Sequence, residues 1–327
     1  MTRRAVMSLI LALIVIGTAC TTPSASAPPW PSGSAESGAC PATASASGTP
    51  EGWGIPRDRP SVFPLIINPA GAIACGPTRL MFSFLDAKNV PVASPDRTVT
   101  VRLFDLGADP ATARIEAPAT FIWAIEPTTG VYVVDADFPS SGTWGAEFVT
   151  AINDADTESI RVTFEVQPDA SVVSVGDAAP ASDTPTLADV NGDVALISTD
   201  DAPVEAFYET SVADALAAKE PFVLVFATPK FCATAQCGPT LDRIKPIAAA
   251  HPDVRFINVE PYVLAETDGA LQPVLTDGAL TPAPATNEWK LPAEPWVFVV
   301  NDDGIVTASF LLIFGDGELE AAVSAVE

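Results

Sequence analysis

The chain is 327 residues long, 48% hydrophobic and 17% charged, which supplies apolar material for two packed cores and argues against a largely disordered chain. Its 41 acidic and 16 basic residues give a formal charge of −25, which repels phosphates and argues against DNA or RNA as a partner. The acidic excess reads as a solubilising surface, and 32 prolines and 20 glycines point to strands and loops rather than long helices.

At the N-terminus, Arg3 and Arg4 precede an apolar stretch from Val6 to Ile16, too short for a comfortable membrane span and suited to an export signal. Gly17-Thr18-Ala19-Cys20 follows. Small residues running up to a cysteine resemble the lipobox of bacterial lipoproteins. That resemblance implies a signal peptide over residues 1–19 and a lipid on Cys20, anchoring the chain to the extracytoplasmic face of the cell membrane. With Cys20 lipidated, four of the five cysteines remain, and outside the cytosol such thiols are expected to be oxidised. Cys232 and Cys237 are close in sequence and are expected to pair, which leaves Cys40 with Cys75 as a structural disulfide.

Residues 20–60 are rich in Ser, Ala, Pro, Gly and Thr, the composition of a flexible tether. Cys40 and Trp53 do not fit a pure linker, and a Cys40–Cys75 bridge is expected to pin its end to the first domain. From 61 to 168 the pattern is one of short strands separated by turn residues, as in Thr98-Val99-Thr100-Val101-Arg102-Leu103-Phe104, where Val99, Val101 and Leu103 alternate onto one face. Regular short strands without a long helical pattern predict an antiparallel β-sandwich. Gly130-Val131-Tyr132 and Gly142-Thr143-Trp144 resemble the G-x-Y and G-x-W core of small immunoglobulin-like domains of the YtkA type. Tyr132 and Trp144 are expected to be core aromatics. No His, Met or Cys cluster here suggests a metal.

The second domain is expected over residues 175–327. It opens with Val175-Gly176-Asp177-Ala178-Ala179-Pro180, and Ser211-Val212-Ala213-Asp214 reads as a capped helix start. Phe222 to Ala227 is a continuous apolar run, the signature of a strand buried on both faces. Leu241 to Ala250 has a helical pattern interrupted by Pro246, and Val254 to Val259 reads as the next strand. Two further strands flank Asn301-Asp302-Asp303-Gly304, a hairpin signal, and a helix is expected over about 316–326. Lys230 reads as a surface lysine and His251 as a loop residue.

Between the apolar run and the helix lies Phe231-Cys232-Ala233-Thr234-Ala235-Gln236-Cys237-Gly238-Pro239-Thr240. Together with the β-α-β, hairpin, helix order, this segment resembles the extracytoplasmic, TlpA-like branch of the thioredoxin family, which has an aromatic residue and Cys-Gly-Pro-Cys at that junction. The resemblance implies an α/β thioredoxin-like fold following the immunoglobulin-like antiparallel sandwich. Here Thr240 stands where the second cysteine of the family falls, leaving Cys232 as the available partner. Proline is favoured at the first helical position, so the helix is expected to open at Pro239 with Cys237 just before it. That position lowers a thiol pKa, which nominates Cys237 as attacking thiol and Cys232 as its resolving partner. Pro295 resembles the cis-proline that faces the motif in this family.

The leading expectation is therefore a membrane-anchored thiol–disulfide oxidoreductase acting on exported protein thiols or disulfides, with no metal and no cofactor. Two other readings stand beside it. Thr234-Ala235-Gln236-Cys237 also matches the Thr-x-x-Cys of peroxiredoxins, and Cys232–Cys237 could be a structural bridge in a redox-inactive, lipid-anchored binding module. Substituting Cys20→Ala is expected to release the exported chain from the membrane fraction, read by detergent-phase partitioning; retention would remove the lipid anchor.

Overall fold

A computed structural model describes residues 40–43, 48–54, 60–153 and 155–327. The signal peptide expected over 1–19, Cys20 and most of the tether lie outside the described residues. Among the described residues, no helix is long and apolar enough to cross a membrane.

Eight strands form the first half: β1 (Phe63–Ile66), β2 (Gly76–Leu85), β3 (Arg97–Asp105), β4 (Ile115–Pro118), β5 (Thr120–Ile125), β6 (Thr129–Phe138), β7 (Gly142–Ile152) and β8 (Glu158–Val166). They pair as two four-stranded antiparallel sheets, ordered β1-β2-β6-β5 and β4-β3-β7-β8. The alternation read in β3 is realised, with Val99, Val101 and Leu103 buried in a core shared by the two sheets. Tyr132 and Trp144 lie in that core. The Tyr132 hydroxyl donates to the Ser94 carbonyl at 2.8 Å, and the Trp144 indole N–H donates to the Ser140 carbonyl at 3.1 Å. Each ring thus buries its apolar body while its polar atom is satisfied.

The chain is fastened to this sandwich earlier than the expected boundary at 61. Cys40 is disulfide-bonded to Cys75, and the Thr43 N–H donates to the Ser141 carbonyl at 3.0 Å. Trp53 packs edge-on against Phe104 at 5.0 Å between centroids, beneath the Arg161 guanidinium. Its ring occupies the space that a Cβ on Gly145 would need. A glycine in β7 is therefore the seat of an aromatic from the N-terminal segment.

The second half carries a four-stranded sheet ordered β10-β9-β15-β16. Its elements run α1 (Val212–Ala218), β9 (Phe222–Phe226), α2 (Cys237–Ala250), β10 (Arg255–Val259), β11 (Leu264–Thr267), β12 (Ala270–Pro273), β13 (Leu275–Thr276), β14 (Ala279–Leu280), α3 (Pro284–Glu288), β15 (Trp296–Val300), β16 (Val306–Leu311) and α4 (Glu318–Ser324). Every residue of β9 is buried. The strand lies between parallel β10 and antiparallel β15, so its continuous apolar run reflects burial on two faces. Ser211 caps α1 by accepting the Asp214 N–H at 3.0 Å. Gly304 takes φ +75° in the turn between β15 and β16, as the hairpin signal required.

Several expectations are corrected. Helix α2 runs unbroken through Pro246, because losing one N–H donor does not end a helix whose Leu241 and Ile244 are anchored in the core. Helix α4 is shorter than the expected 316–326, since Gly317 at its N-cap takes a left-handed φ of +74°. His251 lies just past the end of α2, as the loop reading expected, and is buried and paired through Nδ1 with Glu327 at 2.7 Å. Two hairpins, β11–β12 and β13–β14, were not expected. Their signal is the repeat Thr267-Asp268-Gly269-Ala270-Leu271 and Thr276-Asp277-Gly278-Ala279-Leu280. Both Asp-Gly pairs hold two successive positive φ values, the requirement of a type I′ turn.

The halves share a core. Met81, Ile122, Ala124, Val131 and Val133, on the outer face of the β1-β2-β6-β5 sheet, pack in one cluster with Trp296, Leu311 and Ile313. Polar contacts cross the same seam. Arg243 of α2 donates to the carbonyls of Phe314 at 3.1 Å and Trp123 at 3.2 Å. Arg79 of β2 grips Glu318 of α4 through two hydrogen bonds, of 2.6 and 2.9 Å. The Arg79 side chain is only 4% exposed and that of Glu318 24%, so removing one partner strands a shielded charge. Arg79→Ala is expected to cost about 3 kcal/mol, well above the ~0–1 kcal/mol of an exposed pair, measured by urea unfolding of the oxidised chain.

Candidate functional site

The site grows out of the end of β9. Pairing of Trp296 with Phe226, and of Val259 with Phe226 on the other side, sets Pro295 and Glu260 on either flank of Ala227, the residue that leaves the strand. The chain then turns through Thr228 to Phe231 and reaches Cys232. Five residues later α2 begins at Cys237, with Gln236 as its N-cap. The expected start at Pro239 is therefore two residues late. Pro239 still sits in the first turn, where its missing N–H has no intrahelical partner to lose. Within the connecting loop Ala235 takes φ +60°, a left-handed conformation uncommon for alanine, which reverses the chain between the two cysteines.

Cys232 and Cys237 are disulfide-bonded, with Cα atoms 6.0 Å apart. Their exposure differs: Cys237 is 0% exposed, packed in the core with Leu241 and Ile244, while Cys232 is partly exposed. The Cys237 N–H, at the first position of α2, donates to Cys232 Sγ at 3.2 Å. The helix N-terminus is thus aimed at the sulfur of Cys232. Thr234 Oγ1 lies 3.4 Å from the same atom.

Glu294 and Tyr262 complete the site, and sequence reasoning singled out neither. Glu294 is 5% exposed and precedes Pro295 across a cis peptide bond. Its Oε1 accepts the Ala233 N–H at 3.0 Å, its Oε2 accepts the Tyr262 hydroxyl at 2.7 Å, and its carbonyl accepts the Thr234 hydroxyl at 3.1 Å. The cysteine loop is thereby tied to the segment before β15 by backbone and side chain together. Burial, reinforced by the hydrogen bond to the Glu294 carboxylate, pushes the Tyr262 phenol far above its ordinary pKa. The available signal was the acidic residue directly before Pro295, a position drawn to the motif together with the proline.

Other nominated residues stand apart. Thr240 is buried and donates to the Leu312 carbonyl at 3.1 Å. Lys230 is exposed, with Asp201 at 3.6 Å its nearest acidic partner. On the opposite flank of β9, Glu260 is buried and accepts the Thr199 N–H at 2.6 Å. Desolvation raises its pKa above the usual carboxylate value, partly offset by hydrogen bonds from Thr228 and Thr199.

Compared with known proteins, the chain matches no protein-family model and no curated protein.

The raised pKa of Glu260 sets a pH dependence with a definite sign. The folded chain holds a proton that the unfolded chain releases, so this group's contribution to stability is lost as pH rises from the ordinary carboxylate value through the folded pKa. Glu260→Gln abolishes that loss. Urea midpoints measured from pH 5 to pH 8 are expected to shift progressively in favour of the variant; a constant difference would contradict the raised pKa.

Proposed function

We propose that residues 175–327 form a thioredoxin-like thiol–disulfide oxidoreductase carried beside an immunoglobulin-like sandwich, anchored through Cys20 to the extracytoplasmic face of the cell membrane. The observation that carries this reading is the disulfide at the junction of a central buried strand and a helix N-terminus, with one sulfur accessible and one fully buried. The order β9-α2-β10, then the β15–β16 hairpin and α4, supports the fold resemblance. So does Pro295 beside the end of β9. For the sandwich, the strand order of its two sheets supports the immunoglobulin-like reading.

The burial pattern reverses the roles expected from helix position alone. Cys232 is the sulfur a substrate can reach, and in the disulfide it accepts the Cys237 N–H at the positive end of α2, a position that favours a thiolate on reduction. Cys232 is therefore the attacking thiol and Cys237 the resolving one. In the reducing direction the Cys232 thiolate attacks a substrate disulfide, forming a mixed disulfide and releasing one substrate thiolate. Cys237, deprotonated, then attacks Cys232 Sγ; the internal disulfide forms and the second substrate thiolate leaves, so two electrons pass to the substrate. The reverse sequence oxidises a substrate dithiol. A peroxidase centred on Cys237 is disfavoured, because no peroxide reaches a sulfur that is 0% exposed.

Two measurements test the proposal. Equilibrated with dithiol buffers, the pair is expected to show a reduction potential between about −120 and −270 mV, the span of known oxidoreductases; a value below about −300 mV would mark a structural bridge. With a disulfide-bearing exported protein, Cys237→Ser is expected to accumulate a mixed disulfide on Cys232, and Cys232→Ser to accumulate none. The opposite pattern would restore Cys237 as the attacking sulfur.

A further inference from the structure

Glu294 presents a chemical problem that disulfide exchange does not solve. Its carboxylate is almost fully buried, yet among the described residues no ion pair includes it. Buried carboxylates are normally neutralised, paired with a cation or bound to a metal. One carboxylate oxygen and the sulfurs of Cys232 and Cys237 all lie within 4.8 Å of one another. Donors on a common tetrahedral ion at about 2.0–2.3 Å sit roughly 3.3–3.8 Å apart, so a shift of about an ångström brings the three onto one centre once the S–S bond is opened.

We propose that the reduced form of this site binds one thiophilic divalent cation of the zinc class through Cys232 Sγ, Cys237 Sγ and Glu294. The donor chemistry selects the class. Two thiolates favour a soft or borderline ion, and the carboxylate turns the preference from a monovalent soft ion toward Zn(II). The Tyr262 hydroxyl and the Ala233 N–H hold both carboxylate oxygens in place, the outer support that orients metal ligands. The cation supplies the positive charge that Glu294 lacks. Partial exposure of Cys232 leaves the fourth position facing solvent, open to water or to a ligand from a partner. Binding requires that a dithiol reductant first transfer two electrons to the disulfide, giving two thiols; the cation then displaces their two protons. Metal and disulfide are therefore mutually exclusive states of the same two sulfurs.

The test titrates the full exported chain, reduced with a phosphine under anaerobic conditions, with Co(II) as spectroscopic probe and with Zn(II) in competition. One equivalent of Co(II) is expected to give a thiolate charge-transfer band and tetrahedral visible bands, both erased by Zn(II). The oxidised chain is expected to bind none. Cys237→Ser abolishes the spectrum, Tyr262→Phe weakens affinity by about 10–100-fold, and Glu294→Gln weakens it further while circular dichroism of the oxidised variant stays unchanged. Absence of any band in the reduced chain overturns the proposal, as does Co(II) or Zn(II) affinity indifferent to Glu294→Gln. Tight Cu(I) binding that ignores Glu294, without Co(II) or Zn(II) binding, also overturns it in favour of a two-thiolate site. These results are independent of exchange activity: a dithiol of unsuitable potential still binds metal when reduced chemically, and an active dithiol that binds none fails only here.

Discussion

Strands β2 and β6 are buried on both faces along most of their length, and that doubled burial organises the molecule. Leu80, Phe82 and Phe84 turn into the sandwich, while Met81 turns the other way into the core shared with Trp296 and Leu311. On β6, Tyr132 and Val134 face inward while Val131 and Val133 face the second half. A two-layer sandwich exposes the outer face of each sheet; here one outer face is covered. The Arg243 guanidinium, bonded to the Phe314 and Trp123 carbonyls, and the Arg79–Glu318 pair satisfy polar groups around the apolar seam. The sandwich thus serves as a third layer against the sheet that carries the cysteines.

That arrangement explains which parts of the fold were legible in the sequence. Strong local signals read correctly: alternation in β3, the unbroken apolar run of β9, the Ser211 cap and the Asn-Asp-Asp-Gly turn each reflect physics confined to a few neighbouring residues. The run from Leu80 to Leu85 was readable as a strand, but its second buried face was not, because the partner face comes from residues more than 200 positions later. Proline punctuation misleads at α2, where Pro239 reads as the first position and Pro246 as an interruption. Packing of Leu241 and Ile244 outweighs one missing hydrogen bond.

The site was legible in its sulfur chemistry and illegible in its surroundings. Cysteine spacing nominates a pair, but accessibility is set by tertiary packing, which buries Cys237 and leaves Cys232 partly exposed. Glu294, just before β15, meets the cysteine loop, and Tyr262, just after β10, meets Glu294, through a register that no local pattern encodes. A carboxylate in a position that favours an extended backbone before proline gives no periodic signal of its own.

The Cys40–Cys75 bridge carries a mechanical meaning. Cys75 directly precedes β2, the strand that contributes to both cores. Tension arriving along the chain from its N-terminal side is delivered covalently to that strand, and not to β9 and α2, which flank the Cys232–Cys237 loop. Strand β2 is held by neighbours on both edges, β1 and β6, so the pull acts along several hydrogen bonds loaded together instead of peeling them singly. The Cys232–Cys237 disulfide lies in the half of the fold that the Cys40–Cys75 bridge does not touch.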